Sequence, residues 1–297
     1  TQRSLIHFNI GNDRMPKEVY HAYGYVKKAA AIVNTKAGRL PAWKGKLIEA
    51  VCDEVISGAL DDEFPLYVWQ TGSGTQSNMN LNEVISNRCI QLAGGELGSQ
   101  TPIHPNDHVN MGQSSNDTFP TAMHIAACKM ANDKTIPALK ALRDALDAKA
   151  IKWADVVKIG RTHLQDATPL TVGQEWSGYV GALDDAITEL QHATDGLHQV
   201  AMGGTAVGTG LNAPAGFGDQ VAKVLSKLTG IPIKTATNKF TAQGTLDRMV
   251  RAHGGLKAVA VTLFKIANDM RWLGSGPRTG LMEITFPSNE PGSSIMP

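Results

Sequence analysis

Four stretches of this sequence crowd together uncharged groups that donate hydrogen bonds. The first is TGSGTQSNMNLNEVISNR, residues 71–88. Gly72 and Gly74 free the backbone for close approach to a neighbour or ligand, and Ser73, Thr75 and Gln76 add side-chain donors. Asn78, Asn80 and Asn82 alternate through the opening turns of a helix predicted to start around Thr75 to Ser77. Asn is a poor helix former, so three of them point to side chains kept for contacts. An N-cap after a flexible Gly loop explains the same pattern without any ligand.

The second stretch is HPNDHVNMGQSSNDTFPTAMH, residues 104–124. Asp117 or Thr118 can cap a helix, and Pro120 fits its first turn. Ser114, Ser115 and Asn116 then stand just ahead of a helix N-terminus, where unpaired N–H groups and the positive dipole end favour an anion. Capping accounts for Asp117 and Pro120. It does not account for Gln113 to Asn116, nor for His104 and Asp107 upstream. His108 and His124 are read as structural or surface residues.

The third stretch is GRTHLQDATPLTVGQEW, residues 160–176. Thr168 with Pro169, or Thr171 with Gln174 as a capping box, starts a long helix. Thr162 and His163 lie in the approach to it. A lone His is more often structural, but imidazole is also the side chain suited to moving protons near neutral pH. The fourth stretch is NEPGSSIMP, residues 289–297, a Gly-Ser-Ser turn after a Pro that reads as a loop placing a hydroxyl. No nucleotide fingerprint and no GxSxG elbow accompanies them. Hydroxyls, amides and helix ends dispersed over distant segments suit a small polycarboxylate held by many directional hydrogen bonds. Such a site can also hold the dianionic carboxylate that develops when a proton leaves the carbon beside it.

Helices must carry these groups. From Trp176 the apolar positions continue through Tyr179, Val180, Leu183, Ile187, Leu190, Ala193, Leu197 and Val200, one face sustained in steps of three and four. A second helical stretch runs from Thr121 to Trp153, kinked or broken near Pro137. A third runs from Leu246 to Leu273, and its later half, KAVAVTLFKIANDMRWL, is apolar on nearly every side. Such a helix must be covered all round, as in a large bundle or an oligomer core. Alternating strand patterns are scarce, and GGTAVGTGLNAPAGFG, residues 203–218, reads as a long connection between helices. The expected fold is all-α, a long-helix bundle with a smaller N-terminal helical domain. A soft boundary near residue 114 divides an N-terminal domain, 1–114, from a central helical domain, 115–297.

Composition excludes several other classes. The chain has 297 residues, 42% apolar and 19% charged, with a formal net charge of +1. Lys and Arg form no runs, so no nucleic-acid footprint is expected. No apolar run approaches the roughly 18 residues that cross a bilayer, and the opening TQRSLIHFNI is not laid out as a signal peptide. The three cysteines, Cys52, Cys89 and Cys128, form no CxxC pair and fit reduced thiols in the cytoplasm. No metal site and no cofactor is expected.

In order along the chain, TGSGTQSNMN, HPNDHVN, QSSNDTFPTAMH, KIGRTHLQDATPLT, GGTAVGTGLN and EPGSSIMP resemble the fumarase/aspartase superfamily, and within it the class II fumarases. Aspartases usually carry Gln where this chain has His163, and Ser-Thr-Asn where it has Ser114-Ser115-Asn116. The resemblance implies reversible hydration of fumarate to (S)-malate by anti addition of water through an aci-carboxylate. It implies Ser293 as the base, acting as an alkoxide that its loop must stabilise, and His163 as its partner, handling the proton of the hydroxyl through a water. Ser73, Gly74, Thr75, Ser114, Ser115, Asn116, Thr162 and Ser294 are then expected to bind the dicarboxylate. His104, Pro105, Asn106 and Asp107 match a second anion site, where Thr101 replaces a basic residue of some relatives.

The resemblance also implies a homotetramer whose active sites combine stretches from different subunits. The family signature continues past Pro297 with a Lys and an Asn, and a later Glu orients the catalytic His. The chain is therefore expected to be an internal piece of a longer enzyme. The alternatives are an inactive oligomerising helical fragment and an aspartase-like ammonia-lyase.

Overall fold

The computed structural model describes residues 1–71, 74–288 and 290–292. Ser73, Ser293 and Ser294, the first a predicted ligand and the second the predicted base, lie outside the described residues, as does most of the NEPGSSIMP loop. The described chain divides into two compact units, residues 1–134 with 194–250, and residues 135–193 with 251–297.

The first unit is built on α1 (Lys17–Lys36), which packs against α2 (Ala42–Ile56), α3 (Gly74–Leu92), α4 (Ser115–Met130) and α7 (Phe217–Thr229). Its buried stripe holds Val19, Tyr20, Tyr23, Val26, Ala29, Ala30 and Val33. Small alanines on that stripe let neighbouring helices approach while the aromatic residues fill the wider gaps. Tyr20 stacks on Phe64 with ring centroids 3.9 Å apart. Two strands of two residues each, β3 (Gln199–Val200) and β4 (Lys234–Thr235), pair in parallel. A short α8 (Lys239–Gly244) follows.

The second unit has an apolar core. Ile136, Leu139, Leu146 and Ala150 of α5 (Ile136–Lys152) meet Trp176, Tyr179, Val180, Leu183, Ile187 and Leu190 of α6 (Val172–Asp195). Val259 and Ile266 of α9 (Asp247–Leu273) complete it. Trp153 meets Trp176 edge to face, with centroids 4.9 Å apart. A hairpin, β1 (Val157–Thr162) and β2 (Gln165–Thr171), leads into α6.

The expected all-α class holds, with long helices where the periodicity put them. The break expected near Pro137, which has no N–H to continue the ladder, falls at a π-turn over Ala131–Thr135. Two boundaries differ. The face that continues to Leu197 and Val200 is not one helix. α6 stops at Asp195, a 3-10 turn carries Leu197, and Val200 belongs to β3. The third polar stretch is a hairpin rather than a plain approach to a helix, because His163 and Leu164 both take positive φ, 52° and 62°. Those are the backbone signs of a two-residue turn between paired strands.

α9 carries its apolar surplus outward. Val261, Phe264 and Trp272 are exposed while Val259, Ile266 and Leu273 are buried. That is the all-round apolar character read from KAVAVTLFKIANDMRWL.

Candidate active site

α4 begins earlier than its sequence implies. Ser114 is the N-cap, its Oγ accepting from Asn116 N at 3.2 Å, and Asp117 Oδ1 accepts from Ser114 N at 2.9 Å. This capping box replaces the expected cap at Asp117 or Thr118. Ser115 and Asn116 therefore lie in the first turn of the helix and not ahead of it, and Pro120 is inside the helix. The anion-favouring end of α4 is formed by the residues predicted to bind.

The first polar stretch meets it there. α3 starts at Gly74, and Thr75 Oγ1 lies 3.2 Å from Ser115 Oγ. The first turns of two helices thus meet at one pair of hydroxyls, and the positive dipole end of each favours an anion. Gly74 is required for the approach. A Cβ there would meet Phe119 of α4 at 2.5 Å from Cγ and 2.6 Å from Cδ1.

The asparagines of α3 have separate uses. Asn78 Nδ2 donates to Asn110 Oδ1 at 3.2 Å, and Asn80 Nδ2 donates to Glu63 O at 3.1 Å. Asn82 is fully buried, and neither of its polar atoms has a partner among the described residues.

His104, Pro105, Asn106 and Asp107 form the start of a π-turn over Pro105–Val109. His104 Nδ1 accepts from Asn106 N at 3.2 Å and from Asp107 N at 3.1 Å. The Asn106 and Asp107 N–H groups at the predicted second anion site are engaged by the His104 ring. His108 Nδ1 accepts from His104 N at 2.7 Å; burial, then the charge of Lys44, pushes His108 down. His104 and His108 have the four-residue spacing of a metal-binding pair. Both rings are engaged with the backbone, however, and among the described residues no group of three His, Cys, Asp or Glu could hold a metal ion. His124 is structural as expected, its Nδ1 within reach of Leu197 O at 3.2 Å and Gln199 O at 3.1 Å.

Thr162 and His163 belong to the second unit. Both are exposed, Thr162 at the end of β1 and His163 on the turn. The base of this hairpin is held by charge. Lys158 binds Glu175 at 2.7 Å and also Glu283, and Arg161 binds Glu283 at 2.5 Å. Burial raises the Glu283 carboxyl, but the hydrogen bonds and charges of Lys158 and Arg161 outweigh it and hold the group below its usual range. Gly160 permits the bulge between Ile159 and Arg161, since a Cβ there would meet Thr168 O at 2.6 Å. The capping box starting α6 is Thr171 with Gln174: Gln174 N donates to Thr171 Oγ1 at 3.1 Å, and Thr171 N to Gln174 Oε1 at 3.0 Å.

Several supporting residues were not anticipated. Lys27 is fully buried, and its Nζ donates to Asn110 Oδ1 at 2.9 Å and Gln113 Oε1 at 3.1 Å. Gln113, unexplained by capping, is used there. Asp117 has no exposed surface, and its Oδ2 accepts from Gly203 N at 3.1 Å and Thr205 N at 2.9 Å. Asn116 Nδ2 donates to Ala206 O at 2.6 Å. The Gly-rich connection is thus fastened to the start of α4. A signal for Lys27 was present: it falls on the apolar stripe of α1, four residues after Tyr23 and three before Ala30, where an unpaired Lys would be costly.

Comparison with known proteins adds the remaining constraint. Residues 1–297 match a protein-family profile described as lyase. The chain is 67% identical over 297 residues to a class II fumarate hydratase of Methanosarcina acetivorans, covering 100% of this chain and 61% of that one. It is 59% identical over 299 residues to a mitochondrial fumarate hydratase of Rhizopus oryzae, covering 100% and 60% respectively. Among solved structures, a recombinant class II fumarase from Schistosoma mansoni matches with a TM-score of 0.94 at 43% identity, over 100% of this chain and 65% of that one. The chain spans 61% and 60% of the length of the two curated relatives.

Proposed function

This chain belongs to the lyase family, and from that premise we propose that the protein containing it is a class II fumarate hydratase, interconverting fumarate plus water and (S)-malate as in the citric acid cycle. The observation that carries the proposal is the meeting of the first turns of two helices at the hydroxyls of Thr75 and Ser115, 3.2 Å apart. A dicarboxylate needs one such clamp for a carboxylate that does not react. Ser114, Ser115, Asn116, Thr75 and Gly74 would bind that group, with Ser73 and Ser294 adding donors by resemblance to the family pattern. The relatives' names give the substrate class.

In the dehydration direction, a base takes the proton from the carbon beside one carboxylate. The electron pair moves into that carboxylate as an aci-dianion, then returns to form the double bond as the hydroxyl leaves from the opposite face. The leaving oxygen takes a proton from an acid, so water is the product. Ser293 is proposed as the base and His163 as the residue handling the proton on the oxygen side, with Thr162 beside it binding substrate. His163 is suited to that by its exposure at the tip of a charge-anchored hairpin. The second anion site at His104, Pro105, Asn106 and Asp107 is retained as a proposal only through the family resemblance. The boundary near residue 114 is likewise retained as a proposal on the change in helix length along the chain.

A homotetramer is proposed on the outward apolar side chains of α9, Val261, Phe264 and Trp272. A cleft of about 700 Å³ beside Val261 and Trp272 adds apolar surface that further helices could fill. Among the described residues no helix is long and apolar enough to cross a membrane. The cytoplasm is the proposed compartment, supported by three buried free cysteines.

The test is absorbance loss of fumarate with the full-length protein, run beside L-aspartate as a competing substrate. Turnover of fumarate with water and none of aspartate is expected. Release of ammonia from aspartate without fumarate hydration would reassign the enzyme to the ammonia-lyases.

A further inference from the structure

Asp117 takes three backbone N–H groups from two distant places in the chain. Oδ1 accepts from Ser114 N at 2.9 Å, which closes the cap of α4. Oδ2 accepts from Gly203 N at 3.1 Å and Thr205 N at 2.9 Å. The second pair fixes a turn that would not hold by itself. Thr205 has φ 56°, and a β-branched residue adopts that left-handed conformation only when its surroundings impose it. Gln243 Nε2 donates to Thr205 O at 2.6 Å from the other side. Asn116 Nδ2 to Ala206 O, 2.6 Å, is a second strap across the same junction.

Below this junction lies Lys27, also without exposed surface. Its hydrogen bonds to Asn110 and Gln113 hold the segment leading into Ser114, because Gln113 Nε2 in turn donates to Val109 O at 3.1 Å and Met111 O at 3.2 Å. A buried ammonium needs a compensating charge, and the charge of the buried Asp117 carboxylate is the largest influence that opposes burial at Lys27. The Tyr23 ring, 5.9 Å from Nζ, is a further favourable neighbour.

Resting on the reading of this site as a dicarboxylate clamp, we propose that Asp117, charge-compensated by Lys27, is a positioning residue for substrate binding. It fixes the first turn of α4 and the 203–206 turn in one relation, so that Ser114, Ser115 and Asn116 face the substrate carboxylate together. Burial pushes Asp117 up to about 6, opposed by the Ser114, Thr205 and Gly203 N–H groups, and pushes Lys27 down to about 7, opposed chiefly by Asp117. The charge on each group thus opposes the effect of burial on the other.

The experiment uses the full-length protein with Asp117→Asn, and Asp117→Asn/Lys27→Met in case the single variant, which strands the ammonium, does not fold. Circular dichroism and thermal unfolding establish folding. Hydrogen exchange reads the strap, and KM and kcat for fumarate read the positioning. The folded variant is expected to exchange Ser114, Gly203 and Thr205 N–H at least tenfold faster, and to raise KM at least tenfold with a smaller fall in kcat. Unchanged exchange overturns the strap. Faster exchange with KM within twofold of the wild type overturns the positioning role. Failure of both variants to fold overturns it as well, since the residues would then serve folding alone. A wild-type protein that does not hydrate fumarate refutes the functional reading on which the proposal rests, and is recognised before any variant is compared.

Discussion

Gly74→Ala tests the meeting of the first two polar stretches. A Cβ at Gly74 would lie 2.5 Å from Phe119 Cγ, 2.6 Å from Cδ1 and 2.9 Å from Cβ. These atoms are close to the Phe119 backbone, so the ring cannot swing clear by a small rotation, and one helix must move. Overpacking of this kind costs about 1–3 kcal/mol. Alanine in a helix interior recovers up to ~1 kcal/mol of backbone entropy, and less at a first helical position. The net loss is therefore about 1–2 kcal/mol, or a fall in Tm of roughly 1–3 °C. Displacement also separates Thr75 Oγ1 from Ser115 Oγ, now 3.2 Å apart. A shift of about 1 Å in a positioning group can lower kcat/KM by up to roughly a hundredfold. The assay is thermal unfolding with fumarate hydration on the full-length protein. Phe119→Ala removes the two nearest atoms, so the double variant Gly74→Ala/Phe119→Ala should show favourable coupling relative to the sum of the singles. A Gly74→Ala protein with unchanged or higher Tm and unchanged kcat/KM, or a cycle with no coupling, would refute the packing argument.

His163→Asn should reduce turnover by about 10²–10⁴-fold with little change in Tm, because the exposed turn has φ 52° at His163 and Asn tolerates that conformation; near-normal turnover would remove His163 from the mechanism. Glu283→Gln should destabilise the protein by about 1.5–3 kcal/mol at neutral pH, the range for hydrogen bonds to charged groups. The Glu283 pKa is depressed in the fold, so its contribution is present above the unfolded value and is lost as pH falls through the folded one. Denaturant midpoints of wild type and variant should therefore converge in acid, and a gap that persists there would count against the ion cluster. Burial raises the Cys52 thiol well above its usual range, and raises Cys89 and Cys128 to about 12. Thiol labelling at pH 8 read by peptide mass spectrometry should leave all three unmodified until the protein is unfolded; rapid native labelling of any one would contradict its burial.

The long helices were legible because apolar residues at steps of three and four encode a buried face directly. Trp176 to Leu190 and Leu246 to Leu273 are the clearest cases. The surplus apolar residues of α9 were legible for the same reason, since Phe264 and Trp272 do not fit a single stripe. Ends were less legible. The Ser114 cap was assigned to Asp117 because a Ser or an Asp can fill either place in a capping box, and only the reach of the Asp117 carboxylate back to Ser114 N decides. The hairpin at His163 was missed because β2 is mostly polar and exposed, β1 is interrupted by a bulge, and the turn lacks the Asn-Gly or Asp-Gly pair that announces positive φ. The role of Asp117 in holding Gly203 and Thr205 is a contact across 86 and 88 residues, and no local pattern carries it. Lys27 alone left a trace, a charge on an apolar stripe.

The account is tested most directly by NMR of the product when the full-length protein hydrates fumarate in D2O. Anti addition through an aci-carboxylate places one deuteron on the methylene carbon, opposite the new hydroxyl, and gives a single diastereomer of monodeuterated (S)-malate. A mixture of diastereomers, syn addition, or no malate at all would contradict the assignment of this fold and site to fumarate hydration.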